Sequence, residues 1–198
     1  MVVTTCTPCI GLIGQPRGFA RSPDIARQLG EQMMGRQVKK TYLAIVRGWP
    51  AAEGRIDYAL RDEPEDRRQK HQPQVSRDAV TDFQCLGTGE LPFEIEGYPT
   101  SRYALMALSP QTGRKHQLRR HMKHISHPII GDANHGRGRH NRFFAHHFGE
   151  ARLLLAATDM ALDHPVTGER LMLSVMPEAG FVAVADHLGW GAILRSRF

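Results

Sequence analysis

The chain has 198 residues, a length that suits one globular domain with a substantial core. Its apolar content of 41% and charged content of 23% exclude a disordered protein, and no apolar run approaches the roughly 20 residues of a membrane span. The net charge of +6 favours a polyanionic partner.

Cysteine usage and the first residues bear on the compartment. Three cysteines, an odd number, argue against a disulfide framework and favour a reducing cytoplasm. The start MVVTTCTPCIGLIGQ has no basic segment ahead of its apolar residues, so a secretory signal is not expected. We therefore expect a cytoplasmic protein without membrane contact. No feature sets the oligomeric state, and a monomer is the favoured one.

The first predicted element is a helix that begins after Ser22. Ser22 suits the N-cap, Pro23 suits the first helical position, and Asp24 places an acid in the first turn. Gly35 is expected to end this helix.

Residues 39–48, KKTYLAIVRG, follow as a predicted strand because they are β-branched, aromatic and alternating. Its two faces are formed by Tyr42, Ala44 and Val46 on one side and by Leu43 and Ile45 on the other.

The middle of the chain predicts more strands and one helix. Residues 61–74 are nearly all polar and predict an exposed loop. Strands are expected at 77–86 and 101–109, with a turn around GTGELP (87–92), and a helix is expected over 115–125. The helix has an apolar stripe formed by Leu118, Met122 and Ile125.

The last part predicts a short strand at HPIIGD, a glycine-rich loop at ANHGRGRH, a β-hairpin around the VTG turn and a final helix after Pro177. Strands dominate, and no regular βαβ alternation occurs. The predicted class is α+β, with a mostly antiparallel mixed sheet and flanking helices.

Positive charge is concentrated between residues 111 and 147. This window holds eight lysines and arginines against one acid, Asp132, and eight of the eleven histidines. Such a patch favours nucleic acid, and a solvated basic face that binds nothing is the alternative. The candidate RNA-binding residues are Lys115, His116, Arg119, Arg120, Lys123, Arg137, Arg139 and Arg142.

Metal and nucleotide chemistry find little support. Cys6 and Cys9 form a CxxC, and His121, His124 and His127 recur at intervals of three, but this does not make a convincing set of four zinc ligands. The chain has no P-loop, GxGxxG or GxSxG. We expect no metal and no cofactor.

Four motifs in order carry a resemblance to a known family. TGRKHQLRRHM (112–122), followed by HPIIGDANHG (127–136), resembles the RluA-type pseudouridine synthases. KKTYLAIVRG is similar to the family's tyrosine strand, and RLLLAATDMALDHPVTGERL to a strand and turn near its C-terminus. The resemblance covers about residues 22–190. The segments ELPFEIEGYPTSRYALMALSP and KHISHPIIGDANHG are most similar to a subfamily that acts on tRNA, for which uridine 65 is the expected target.

The resemblance implies a pseudouridine synthase fold and a cofactor-free isomerisation of uridine, which is flipped out of the RNA. It assigns Tyr42 to stacking on the flipped base and to accepting the C5 proton. It assigns Arg114 to pairing with a catalytic aspartate. From the residues alone, Tyr42 is better explained as a half-buried strand tyrosine, and the alternative for Arg114 is an exposed arginine at a helix start.

The family's aspartate lies in an HRLD segment about a dozen residues before the helix at Ser22. This chain has Thr-Pro-Cys-Ile at 7–10, and its first aspartate is Asp24. The family's TSG turn, the strand after it and the preceding sheet segment are not matched either. We therefore divide the chain into a non-matching segment, 1–21, and a truncated catalytic-type domain, 22–198.

An altered reading frame, a misplaced start or a degenerate, inactive paralogue would explain this boundary. The expectation is a catalytically inactive or severely impaired chain with exposed strand edges. A non-catalytic RNA-binding protein and a histidine-rich metal-binding protein are the alternative functions.

Overall fold

The computed structural model describes residue 20, residues 22–61 and residues 75–198. The Cys6–Cys9 pair, nearly all of segment 1–21 and most of the predicted loop 61–74 lie outside the described residues, so the predictions made for them stay predictions.

Eight strands and five helices are described. The strands are β1 (Lys39–Arg47), β2 (Glu53–Asp57), β3 (Leu60–Arg61), β4 (Ser76–Arg77), β5 (Val80–Leu91), β6 (Ser101–Pro110), β7 (Leu155–Asp163) and β8 (Arg170–Ser174). The helices are α1 (Pro23–Met34), α2 (Gln117–His124), α3 (Gly138–His147), α4 (Ala179–His187) and α5 (Gly191–Arg195). Among these residues, no helix combines the length and apolar character needed to cross a membrane.

A six-stranded sheet in the order β2-β5-β6-β1-β7-β8 forms the centre, and every neighbouring pair is antiparallel. β3 and β4 form a separate two-stranded ribbon. The predicted α+β class with a mostly antiparallel sheet and flanking helices is confirmed.

The helices cover both faces of the sheet because each face carries its own hydrophobic cluster. Leu43 and Ile45 of β1 face α3, α4 and α5 through Phe144, Val184 and Leu194. Ala44 and Val46 face α2, and the contacting side chains of α2 are Leu118 and Met122. The alternation predicted for β1 therefore divides the core into two layers, and α1 packs beside them on β7 and β8.

The predicted signals for α1 are confirmed. The side chain of Ser22 accepts a hydrogen bond from the backbone N–H of Ile25 at 3.4 Å, and Pro23 is the first helical residue. Gly35 ends the helix, with its own N–H donating to Glu31 O.

Three predicted elements were wrong. The segment GTGELP is not a turn, because β5 runs through it to Leu91 and the connection to β6 comes later. HPIIGD makes only an isolated bridge between Val46 and Ile129. The glycine-rich loop is shorter than predicted, since α3 begins at Gly138.

The pairing of β1 with β7 is irregular at one point. Thr41 lies opposite Asp159, whereas Tyr42 lies opposite Ala157, so Thr158 is an extra residue in β7. Since cross-strand partners share a face of the sheet, Asp159 and Ala157 face opposite layers.

Candidate active site

Tyr42 lies near the start of the central strand β1. Its cross-strand neighbours are Leu108 on β6 and Ala157 on β7. The side chain is half-buried and packs against the cluster that includes Leu118 of α2. Tyr42 therefore stands on the sheet face that α2 covers, at the end of the sheet where β6 leads toward α2.

Arg114 lies in the connection between β6 and α2. Its Nε donates to the carbonyl of Asp78 at 3.1 Å, and its backbone N–H donates to Oε1 of Gln117 at 3.0 Å. In the described part of the chain, no carboxylate lies in ion-pair contact with Arg114. The two hydrogen bonds fix the main chain and the Nε edge of the guanidinium, and the residue is half-buried.

Buried polar side chains hold this connection against β5. The hydroxyl of Thr112 donates to Oε1 of Gln117 at 2.8 Å, and Nε2 of Gln117 donates to the carbonyl of Val80 and to Oγ1 of Thr81, both at 3.0 Å. Thr112 is 8% exposed and Gln117 is 4% exposed. Such groups are costly to bury unless they are hydrogen-bonded, so the network specifies the shape of the connection.

His121 completes the network. Its Nε2 lies 3.1 Å from the carbonyl of Tyr58, which can only accept, and its Nδ1 lies 2.9 Å from Oγ1 of Thr81. The network therefore assigns a neutral ring with its proton on Nε2. Burial lowers the pKa of His121, which agrees with a neutral ring.

The GDANHG segment forms a closed loop that is tied to α2. Arg119 makes a bidentate ion pair with Asp132, with Nε–Oδ2 and NH2–Oδ1 distances of 2.7 Å. Oδ1 of Asp132 also accepts the N–H groups of Asn134 and His135. Burial alone would raise the pKa of Asp132, but Arg119 and the two N–H groups hold it below its usual range.

Gly131 is the first residue of this loop and has a left-handed conformation, with φ of +79°. A Cβ at Gly131 would lie 1.7 Å from the carbonyl oxygen of Arg152. Only glycine fits where these two chain segments meet.

The predicted RNA-binding residues fall into two neighbouring groups. The rings of His116 and His135 lie 5.8 Å apart, which brings the start of α2 beside the loop that leads to α3. Lys115 and Lys123 are exposed on the α2 side. The exposed arginines of the α3 side are Arg137, Arg139 and Arg142.

Arg119 and Arg120, both predicted to bind RNA, make hydrogen bonds within the protein. The Arg119 side chain is 16% exposed and faces Asp132. NH1 of Arg120 donates to the carbonyl of Arg61 at 2.9 Å. Arg119 therefore holds the 132–135 loop, a role that charge counting could not reveal because its partner lies 13 residues further along the chain.

The sequence prediction also missed the positioning residues Thr112, Gln117 and His121. All three are letters of the TGRKHQLRRHM motif, so the signal was present. Their buried polar contacts explain why those residue types occur at that spacing. For metal ions, the described residues contain no group of three or more histidines, cysteines or acids that could bind one.

Comparison with known proteins decides the family. The model of the RNA pseudouridylate synthase family matches residues 18–124 of this chain. The chain belongs to the RNA pseudouridylate synthase family. The resemblance to RluA-type synthases is thereby confirmed.

Curated members of the family match most of the chain. A protein of Pectobacterium carotovorum subsp. carotovorum named tRNA pseudouridine synthase C is 47% identical over 178 residues, which is 89% of this chain and 47% of that protein. A Yersinia pestis protein of the same name is 44% identical over 177 residues, which is 88% of this chain and 69% of that protein. The chain thus spans about half of the first relative and about two thirds of the second.

Solved structures of the family share the fold. Human RNA pseudouridylate synthase domain containing 4 has a TM-score of 0.62 and 26% identity, covering 87% of this chain and 69% of its own. Human RNA pseudouridylate synthase domain containing 1 has a TM-score of 0.61 and 24% identity, covering 81% of this chain and 64% of its own.

Proposed function

We propose that this chain carries the uridine-binding part of a tRNA pseudouridine synthase site, formed by Tyr42, Arg114 and the basic surface of α2 and α3. The proposal is carried by the position of Arg114. Two hydrogen bonds hold this residue just before α2, and α2 packs on the sheet face that carries Tyr42. Curated relatives named for this reaction on tRNA support it.

In the proposed reaction, a uridine is flipped out of the RNA because its reacting atoms are inaccessible in a stacked helix. The N1–C1′ bond breaks with assistance from a carboxylate, the base rotates, and a C5–C1′ bond forms. The C5 proton is then lost and N1 gains one, so the reaction is an isomerisation that needs no cofactor.

Each residue has a physical reason for its proposed role. The guanidinium of Arg114 would keep the carboxylate ionised, and its planar fork suits a carboxylate better than a lysine ammonium. The half-buried ring of Tyr42 offers a stacking face with a hydroxyl at its tip, which can accept the C5 proton.

The carboxylate is the part that this chain does not supply at the expected position, where residues 7–10 are Thr-Pro-Cys-Ile. Asp132 does not replace it, because its side chain is 1% exposed and paired with Arg119. Asp24 belongs to the first turn of α1. We therefore propose that the chain binds tRNA but does not isomerise it at a significant rate, and this proposal keeps a non-catalytic RNA-binding role as the second candidate.

The direct test treats an unmodified tRNA transcript with the purified chain and measures pseudouridine by mass spectrometry after nuclease digestion. We expect tRNA binding without pseudouridine. Formation of pseudouridine at a rate comparable to that of the Yersinia relative would show that another carboxylate serves, and the proposed defect would be wrong.

A chimera tests the proposed roles of Tyr42 and Arg114. Residues 22–198 are joined to the corresponding N-terminal part of the Yersinia relative, which is assayed alongside. We expect the chimera to form pseudouridine, and Tyr42→Leu or Arg114→Gln in it to abolish product while tRNA binding persists. Arg102→Gln, far from this site on β6, is the matched control. Full activity of the Arg114→Gln chimera would refute the proposed site.

The compartment and oligomeric state belong to the same proposal. We propose a cytoplasmic monomer, supported by three cysteines, of which the described Cys85 is free. Light scattering of the purified chain at micromolar concentration tests the monomer.

A further inference from the structure

Tyr58, which follows β2, and His124, the last residue of α2, form a stacked pair of rings at the surface. Their ring centroids lie 3.7 Å apart and their planes differ by 16°. The Tyr58 residue is 44% exposed, and His124 is also exposed. The pair therefore presents aromatic surface to solvent instead of filling the core.

The backbone of Tyr58 is fixed from both sides. Its N–H donates to the carbonyl of Ala79 at 3.1 Å, and its own carbonyl accepts from Nε2 of His121 at 3.1 Å. His121 is fully buried and belongs to the polar network that holds Arg114. The main chain at Tyr58 is thus fixed and the stack with His124 orients the ring, which reduces the entropy lost on binding.

A cleft of about 590 Å³ opens beside this pair. Its lining residues are Asp57, Tyr58, Ala59, Arg61, Ser76 and Arg120. Among the described lining residues two are arginines and one is an acid, and the hydrogen bond from Arg120 to the carbonyl of Arg61 joins α2 to β3. An aromatic face beside guanidinium groups is the combination by which proteins bind unpaired nucleotides.

The pair and Arg114 are held by adjacent residues of one backbone segment. Ala79, which accepts the Tyr58 N–H, directly follows Asp78, whose carbonyl accepts Nε of Arg114. The Tyr58–His124 pair and the proposed uridine site therefore share two supports: the segment just before β5, and helix α2, which Arg114 precedes and His124 ends.

We propose that Tyr58, supported by His124, stacks on an unpaired RNA base that flanks the target uridine, while Arg61 and Arg120 contact the adjoining phosphates. This inference rests on the proposed RNA-modifying function and extends its footprint to three residues that charge counting does not select, Tyr58, His124 and Arg61. Stacking on Tyr58 would favour RNA with unpaired bases over a continuous duplex, because no base of a duplex can reach the ring.

The experiment compares Tyr58→Leu with Tyr58→Phe in the full chain. Leucine keeps the backbone hydrogen bonds and some apolar volume but removes the aromatic face, whereas phenylalanine keeps the face and removes the hydroxyl. Tyr98→Leu is the matched control, because Tyr98 is 64% exposed in the connection at the opposite end of β5 and β6. Binding is measured by fluorescence anisotropy with two probes, an unmodified tRNA transcript and a fully paired RNA duplex of equal length.

We expect Tyr58→Leu to weaken tRNA binding about tenfold, as for loss of one base stack, and to leave duplex binding unchanged. Tyr58→Phe and Tyr98→Leu should bind tRNA like the unaltered chain. The salt dependence of tRNA binding should keep its slope in Tyr58→Leu, since no phosphate contact is lost, and should become shallower by about one in Arg61→Gln.

His124→Gln is the second variant, in case Tyr58→Leu does not fold by circular dichroism. It removes the ring behind Tyr58 at an exposed helix end, and we expect tRNA binding to weaken severalfold. The inference is overturned if both variants bind tRNA like the unaltered chain, or if tRNA and duplex binding fall equally. If the unaltered chain binds neither RNA, both the proposed function and this inference are wrong. If the unaltered chain binds tRNA and both variants bind it equally well, only this inference is wrong.

Discussion

The guanidinium of Arg119 faces both carboxylate oxygens of Asp132, with two N–O distances of 2.7 Å, in a pair that water barely reaches. Helix α2 and the loop leading to α3 are therefore joined by charge as well as by packing. The positions of the basic groups on α2 and α3 depend on this pair, although neither of its members needs to contact RNA.

We expect Asp132→Asn to lower the free energy of unfolding by about 3 kcal/mol, because it leaves Arg119 without its counter-ion in a mostly buried site. Urea denaturation measures the change. Glu31→Gln breaks the exposed pair of Glu31 with Arg27 and should cost less than about 0.5 kcal/mol. If the two variants lost equal amounts of unfolding free energy, burial would not be what makes the Arg119–Asp132 pair important.

Stability should fall in mild acid. Burial lowers the pKa of His121 and of His140, which accepts from Arg47 Nε at 3.1 Å and contacts the Tyr103 hydroxyl at 2.8 Å. Above the unfolded pKa of about 6.5, both states are neutral and stability is flat. Below it the unfolded chain binds protons that the folded rings resist, so stability falls, by up to about 1.4 kcal/mol per histidine per pH unit.

Urea unfolding between pH 7.5 and 5 checks this dependence. His140→Gln should reduce the slope, whereas His187→Gln, at an exposed position, should leave it unchanged. A stability that rises as the pH falls from 7 to 5.5 would show that the buried rings are protonated in the folded state.

Gln117→Glu should loosen the connection that carries Arg114. A carboxylate cannot donate to the carbonyl of Val80, so we expect a loss of about 2 kcal/mol in the free energy of unfolding. The backbone N–H of Arg114, which donates to Oε1 of Gln117, reports the effect locally. Its hydrogen exchange should accelerate more than that of α4 amides; a uniform change across the chain would argue against a local role.

Gly131→Ala should prevent stable folding, because the added methyl group would collide with the carbonyl of Arg152. Gly97 has a similar φ of +84° but nothing within 4 Å of an added Cβ. Gly97→Ala should therefore cost only about 1 kcal/mol of backbone strain. Soluble yield and the thermal midpoint separate the two, and equal midpoints would show that the main chain can move apart at Gly131.

Phosphate contacts should appear in the salt dependence of tRNA binding. We expect Lys123→Gln or Arg139→Gln to reduce the slope of log affinity against log salt by about one each. Arg195→Gln, on α5 and paired with Asp186, should leave the slope unchanged. Unchanged slopes in all three variants would mean that RNA binds elsewhere.

Local signals predicted much of the fold. Ser22, Pro23 and Gly35 set the limits of α1, because capping is decided by a few neighbouring residues. The alternation in 39–48 predicted both faces of β1, since each face packs against apolar side chains.

The glycines of GTGELP were misleading for a tertiary reason. A Cβ at Gly87 would lie 2.8 Å from the Trp190 ring, and one at Gly89 would lie 3.2 Å from the carbonyl of Leu188. Because these glycines have no side chain, the connection between α4 and α5 can pack directly on β5, which stays continuous. A local sequence pattern cannot reveal such a contact. Similarly, α3 begins without a capping side chain, and the burial of His140 and Phe144 takes the place of a sequence signal.

The sequence predicted the charged residues of the site but not the buried polar residues that position them. The motif pointed to Arg114, whereas the roles of Thr112, Gln117 and His121 depend on β5, about 30 to 40 residues earlier in the chain. Long-range hydrogen bonds of this kind leave no periodicity in a single sequence.

The extra residue Thr158 has a consequence for the comparison of relatives. Because the strand changes face at that residue, Ala157 lies beside Tyr42 while Asp159 turns to the other layer, where Ser174 and Arg197 bind it. If β7 is aligned one position out of register, a residue equivalent to Asp159 is assigned to the face of Tyr42, and a residue equivalent to Ala157 to the face of Arg197. In a relative without this extra residue, the residues on one side of it must point to the opposite layer. The length of β7 therefore determines which residues reach the site, as their identity does.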